Sequence, residues 1–188
     1  MSGHHLILGT VKDRLTGETI EDSHDERYRQ KIVGHLLDLC GYDPSEIEAN
    51  RRIELTTPGR MASFPVDFIV HIDGVAAMVV RYGPGSLVTR YRTAQALCRF
   101  LADHEIPVAI VTNGEEAHRL DGPKGACIAQ GFHTIPTRSE LSQIILRGPL
   151  KPVSRAHRAM AERLLFAYEV DGSCPCDESI CRMDPDEG

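Results

Sequence analysis

Apolar residues recur along this chain at two periods, and the changes between them divide it into alternating helices and strands. Tyr28, Ile32, Val33, Leu36 and Leu37 fall at helical spacing and predict an amphipathic helix, stopped by Gly41. Ser23-His24-Asp25-Glu26 opens that helix as a capping box, with Ser23 the cap and Glu26 reaching back to it. Ahead of it, residues 6–20 read as a small hairpin turning at Thr16-Gly17. Runs of β-branched and apolar residues predict strands at 47–55, 66–72 and 76–83, the last two joined through Asp73-Gly74-Val75. A helix over 87–103 precedes a strand at 107–112 and reads as a crossover between neighbouring strands. Short strands are expected at 117–120 and 127–129. Thr137-Arg138-Ser139-Glu140 is a second capping box, opening a helix through Leu146. Pro149 and Pro152 then break the chain before a helix over 153–168. The order of elements predicts an α/β fold, divided into a main domain at 1–148 and a C-terminal helix with a cysteine-containing acidic tail at 149–188.

The hairpin Val66-Asp67-Phe68-Ile69-Val70-His71-Ile72 to Ala76-Ala77-Met78-Val79-Val80-Arg81-Tyr82-Gly83 carries the most specific information. Strand alternation puts Asp67, Ile69 and His71 on one face and Phe68, Val70 and Ile72 on the other. Loop length decides what meets Asp67. A two-residue loop places Arg81 on the opposite face, because parity sets the side. A three-residue loop with Gly74 in the left-handed region places Asp67, Val79, Arg81 and Gly83 together, and this arrangement is the expected one.

Composition narrows the setting. The 188 residues carry a net charge of −6, which argues against indiscriminate nucleic-acid binding while leaving local patches open. No apolar run approaches the roughly 20 residues of a membrane span. No signal peptide is visible, so six cysteines point to reduced thiols or metal ligands in a cytoplasmic protein rather than to a disulfide frame.

Several pieces of the chain, in order, resemble one family. Glu26-Arg27-Tyr28-Arg29-Gln30 opens a helix ending at Leu39-Cys40-Gly41-Tyr42, and an extended stretch leads to Pro65-Val66-Asp67 and the second strand. A helix containing Gln95-Ala96-Leu97 follows, then Ile106-Pro107-Val108-Ala109-Ile110-Val111-Thr112-Asn113-Gly114. From about residue 18 to 145 the sequence resembles the N-terminal domain of type I restriction enzyme R subunits, a member of the PD-(D/E)XK nuclease superfamily. That resemblance implies a mixed sheet flanked by helices. It places Asp67 at the family's metal-binding aspartate, Arg81 and Gly83 at the acid and lysine of its Glu-x-Lys element, and Glu26 and Gln95 near auxiliary helix positions. A two-carboxylate site holds Mg²⁺ through hard oxygen ligands, and the metal stabilises the attacking and leaving oxygens of phosphodiester cleavage. A guanidinium offers a metal no lone pair, so Arg81 points to a degenerate site. No Walker phosphate loop is present, and the domain is expected to act without the motor of full R subunits.

Three further patterns suggest chemistry. Gly85 and Ser86 precede a helix start, with Arg81, Arg90 and Arg92 close by and Tyr82 and Tyr91 able to stack on bases; a tight turn with solvated arginines is the competing reading. Arg147, Lys151, Arg155, Arg158 and Arg163 form a second basic stretch, read either as a phosphate-contacting face or as a solvated one. Cys174-Pro175-Cys176 and Cys181 suggest Zn²⁺ or an iron–sulfur cluster, with Cys40 a candidate fourth ligand, against a tail of redox-active thiols. Cys98 and Cys127 are expected in the core, and His71, on the Asp67 face, reads as a packed residue in preference to a pocket-lining one. Three functions remain open: a non-cleaving domain that binds DNA, other nucleic acid or a defence partner protein; a metal-dependent endonuclease with relocated catalytic residues; and a metal- or redox-dependent regulator.

Overall fold

The computed structural model describes residues 7–57 and 60–170. Ile7–Lys12 (β1) and Thr19–Ser23 (β2) pair as an antiparallel hairpin. Six strands form one sheet in sequence order: Ile47–Thr57 (β3), Arg60–Ile72 (β4), Val75–Tyr82 (β5), Val108–Thr112 (β6), Ala117–Asp121 (β7) and Cys127–Gln130 (β8). All neighbours run antiparallel except β5 and β6, which are parallel and joined by the helix Tyr91–Phe100 (α2). The predicted mixed α/β architecture is therefore present, crossover included.

Alternation along the strands feeds two cores, one on each face of the sheet. Phe68, Val70, Ile72, Met78, Val80 and Ile110 meet Ile32, Val33 and Leu36 of the first helix and its following turn, with Leu141 of the third. Those helices are His24–Gly34 (α1) and Arg138–Leu146 (α3). On the other face, Ile69, Val79, Val111 and Leu120 meet Ala94 and Leu97 of α2 with Ala161 and Leu165 of Arg155–Leu165 (α4). Each fully buried Leu or Ile in these layers contributes about 1.5–3 kcal/mol.

Where the elements differ from expectation, local chemistry accounts for it. β3 and β4 are longer than predicted because Ile53 and Leu55 pair against Phe64 and Ala62 and extend the second core. Helix α2 starts late: Val88–Arg90 forms a 3-10 turn, and Arg90 supplies no side-chain cap. Its far end is closed by Arg158, whose two terminal nitrogens donate to the carbonyls of Phe100 and Ala102. The second basic stretch is divided accordingly. Arg158 serves α2, Lys151 lies 4.0 Å from the buried Glu105, Arg163 donates to its own helix at Ala159, and Arg147 and Arg155 are exposed. In α1 only half of the expected capping box forms. Ser23 accepts from the Glu26 amide at 3.2 Å, but the Glu26 carboxylate accepts from Gln30 instead of reaching back. In α3 both halves are made, with Thr137 and Glu140. Helix α1 passes into a π-helical turn, His35–Leu39, and the chain turns away at Gly41 with φ 74°.

Cys40 closes that turn inside the first core, where burial pushes its thiol up to about 11 from an ordinary 9.0. In the unfolded chain the thiol ionises first, so this group's contribution to stability falls as pH rises from about 9 through about 11. Native protein should therefore resist alkylation at Cys40 at pH 8, whereas denatured protein should react fully; peptide mass mapping after an iodoacetamide pulse separates the two. Rapid native labelling contradicts the burial. Cys98 is buried as expected, and Cys127 is half-buried. Among the described residues no helix is long and apolar enough to cross a membrane.

Candidate functional site

The β4–β5 hairpin reaches its register by a different route from the expected one. Ile72 pairs with Val75, so the loop is the two residues Asp73 and Gly74, both at positive φ (49° and 81°) as a type I′ turn requires. Parity is then restored inside the strand. His71 pairs with Ala76 but Val70 with Met78, leaving Ala77 as a bulge on β5. Beyond it Ile69 faces Val79 and Phe68 faces Val80, which carries the register on to Asp67 and Arg81.

The two residues meet directly. Arg81 Nη1 donates to Asp67 Oδ2 at 2.9 Å and to the Pro65 carbonyl at 3.1 Å. The same Oδ2 accepts from the Tyr82 amide at 3.0 Å, while Oδ1 accepts from Arg29 Nε at 3.2 Å. Asp67 is 4% exposed and Arg81 9%. Such a buried carboxylate is held by cations on both oxygens. Arg81 Nη2 donates in turn to Glu169 Oε2 at 2.8 Å, from the π-helical turn Phe166–Val170 that ends the C-terminal helix. Its Nε is buried without a hydrogen-bond partner among the described residues.

Around this core the walls assemble. Arg29 comes from α1, lies 4.0 Å from Glu26 and stacks over the Tyr82 ring at 5.4 Å. Tyr82 donates to Asp25 Oδ1 at 2.9 Å, and burial followed by this bond raises its phenol well above the ordinary range. Tyr28 stacks on Tyr82 at 6.0 Å, packs over Gly114 and donates to Glu115. The Thr112-Asn113-Gly114 strand end is a side-chain-stabilised turn, Thr112 Oγ1 accepting from Gly114 and Asn113 Oδ1 from Glu115 and Glu116. An open cleft of about 670 Å³ results, with Arg29, Arg81, Arg90, Tyr82, Tyr168 and Glu169 among its lining.

Gly83 sits at the edge of the cleft, its amide on the Thr112 carbonyl. A β-carbon at Gly83 would overlap the guanidinium of Arg90. Arg90 therefore brings a cation to the corner from which a residue-83 side chain would project. Its Nη1 also donates to the Ser86 carbonyl at 3.1 Å. Of the remaining candidates, Gly85 and Ser86 are exposed, Gly85 at φ 81°, and Arg92 is exposed outside the cleft lining. Gln95 is directed elsewhere: its Nε2 donates to the Pro123 carbonyl in the β7–β8 connection, so it does not join Asp67. His71 shares the Asp67 side of β4 but pairs with Glu48 of β3 at 3.2 Å and is not in the cleft lining. Cys174, Cys176 and Cys181 lie outside the described residues; Cys40 belongs to the core opposite the one that receives Phe166 and Val170.

Two residues here escaped the sequence reading. Arg29 had a signal, one helical turn after Glu26 on a helix opening toward the hairpin; Glu169 had none. As to metals, the donor set at Asp67 does not fit Mg²⁺. Both of its oxygens receive hydrogen bonds from guanidinium groups, and the carboxylate of Glu169 stands on the far side of Arg81. Among the described residues no group of three or more His, Cys, Asp or Glu is arranged to hold a metal ion.

No curated protein and no solved structure gives a significant match to the chain. The family model described as type I restriction enzyme R protein N terminus matches residues 24–136, more than half of the sequence, and that span contributes Arg29, Asp67, Arg81, Gly83 and Arg90. By that match, the chain belongs to the family of type I restriction enzyme R protein N-terminal domains.

Proposed function

We propose that this domain is a restriction-endonuclease-like module with a degenerate PD-(D/E)XK site, which binds the backbone of DNA without cutting it. The observation that carries the reading is the closure of Asp67 by Arg29, Arg81 and the Tyr82 amide. Phosphodiester cleavage by two carboxylates and Mg²⁺ needs free oxygens facing one ion, and a permanent cation in the acid's place repels that ion. The same substitutions leave cationic groups along an open cleft. Arg90 at the Gly83 corner and the outer face of Arg29 offer donors suited to phosphate oxygens, and Tyr82 and Tyr168 add rings beside them. Family membership supports DNA as the polymer. Free thiols at Cys40, Cys98 and Cys127 fit a reducing cytoplasmic setting.

Binding of a fluorescent DNA duplex, followed by anisotropy across a salt series, tests this. Measurable binding at low salt is expected, weakening steeply as salt rises. Arg90→Ala should reduce the salt slope by about one, since one phosphate contact is lost. Its fold should persist, because among the described residues the Arg90 side chain donates to a loop carbonyl alone. Incubation with Mg²⁺ or Mn²⁺ should leave the duplex intact. Metal-dependent cleavage abolished by Asp67→Asn overturns the non-cleaving assignment, and absence of binding at low salt overturns the DNA assignment.

A further inference from the structure

The C-terminal turn places a carboxylate where the cleft would receive a phosphate. Glu169 Oε2 takes Arg81 Nη2 at 2.8 Å, and Tyr168 beside it forms part of the same wall. Both residues lie beyond the family-matched span of 24–136, so part of the cleft wall comes from outside the matched segment.

This contact is not needed to hold the helix that delivers it. Ser154 caps α4, His157 Nδ1 lies 3.1 Å from the buried Glu105, and Arg158 binds two carbonyls at the end of α2. Ala161 and Leu165 complete the attachment in the second core. The turn carrying Glu169 begins only after α4 ends, and there the hydrogen bonding changes from α to π. Glu169 also satisfies its partner incompletely. It engages one nitrogen of the Arg81 fork, and Nε of that guanidinium remains buried without a partner among the described residues. Arg81 meets both of its carboxylates through single contacts, but the Glu169 side chain is 17% exposed against 5% for Asp67. Asp67 is held in addition by Arg29 and the Tyr82 amide, so Glu169 is the partner that a phosphate can reach and replace.

We propose that Glu169 is an internal anion that gates the cleft, competing with the DNA backbone for Arg81. This rests on the reading of the cleft as a DNA-backbone site. No covalent step is involved: one carboxylate leaves a guanidinium and a phosphate oxygen replaces it. DNA binding to the wild-type chain thus includes displacement of the Glu169 side chain from Arg81, while Phe166, buried in the second core, keeps the turn in place.

Glu169→Gln removes the charge at nearly constant shape, and Glu162→Gln removes the same charge from α4 outside the cleft lining. Binding of the duplex at low salt to wild type, both variants and Arg90→Ala is the decisive measurement, with thermal unfolding to verify folding. Glu169→Gln should bind roughly tenfold more tightly than wild type, since a like charge facing phosphate is costly. Glu162→Gln should change affinity far less. If the two glutamine variants gain equally, or Glu169→Gln gains nothing while Arg90→Ala weakens binding, the gate is overturned and the DNA reading stands. If wild type and Glu169→Gln both fail to bind, the gate and the DNA reading fall together.

Discussion

Replacing Asp67 with alanine is expected to destabilise the protein by about 3 kcal/mol, the lower end of the range for breaking a buried ion pair, because Glu169 still pairs with Arg81. Arg81 is 9% exposed and cannot deprotonate, so without Asp67 its Nη1 retains only the Pro65 carbonyl. Arg29 loses its contact on Oδ1, and the Tyr82 amide loses its acceptor. For a chain of this length the loss corresponds to a fall in Tm on the order of 10 °C, read by circular dichroism or calorimetry. A metal-binding aspartate behaves in the opposite sense. When it faces another carboxylate, its removal relieves repulsion and leaves stability unchanged or higher. An unchanged or raised Tm for Asp67→Ala therefore contradicts a structural role for the Asp67–Arg81 pair. Asp67→Asn should fall between, because the amide retains an acceptor oxygen but not the charge.

Arg81→Glu should be at least as damaging in the presence of a chelator. It exchanges the cation between Asp67 and Glu169 for a third carboxylate, leaving Arg29 as the nearest compensating charge. Like charges at such separation, partly desolvated, cost several kcal/mol. The same change assembles hard oxygen donors around one point, which is what a divalent cation requires. Adding Mn²⁺ should therefore raise the Tm of Arg81→Glu and leave wild type unaffected. A stabilisation of about 2.7 kcal/mol is expected at a hundredfold excess over Kd. If Mn²⁺ stabilises wild type equally, Arg81 is not what keeps a cation out. If it stabilises neither, the surrounding carboxylates are too far apart to share one.

Much of this arrangement was legible in the residues, and the misses have identifiable causes. The strands of the sheet core announced themselves because alternation in Phe68, Val70 and Ile72 against Ile69 and Val79 must feed two opposite faces. Whether Asp67 and Arg81 share a face reduced to parity, which a three-residue loop or a two-residue loop with a bulge satisfies equally. The chain uses the second: Asp73-Gly74 is itself the signal for a two-residue turn, and the bulge at Ala77 is what sequence alone does not reveal. Gln95 was drawn toward the site by its place in a helix, but the α2 face it occupies looks toward Pro123. Arg29 was hidden by attention to Glu26 on the same turn. Glu169 stands 88 positions from Arg81, and no local pattern encodes a contact of that range.

The Arg90 guanidinium packed over Gly83 has a consequence for how such sites change over evolutionary time. Positions 83 and 90 are epistatic: any side chain acquired at 83 turns Arg90 out of its corner, so the effect of one substitution depends on whether the other has occurred. Placing a lysine at 83 while Arg90 remains would crowd two cations into one volume. A history that first shortened residue 90 and then lengthened residue 83 meets no such obstacle. The charge at this corner is thus set by positions 83 and 90 together, and a substitution at either one has a different effect in the presence of the other.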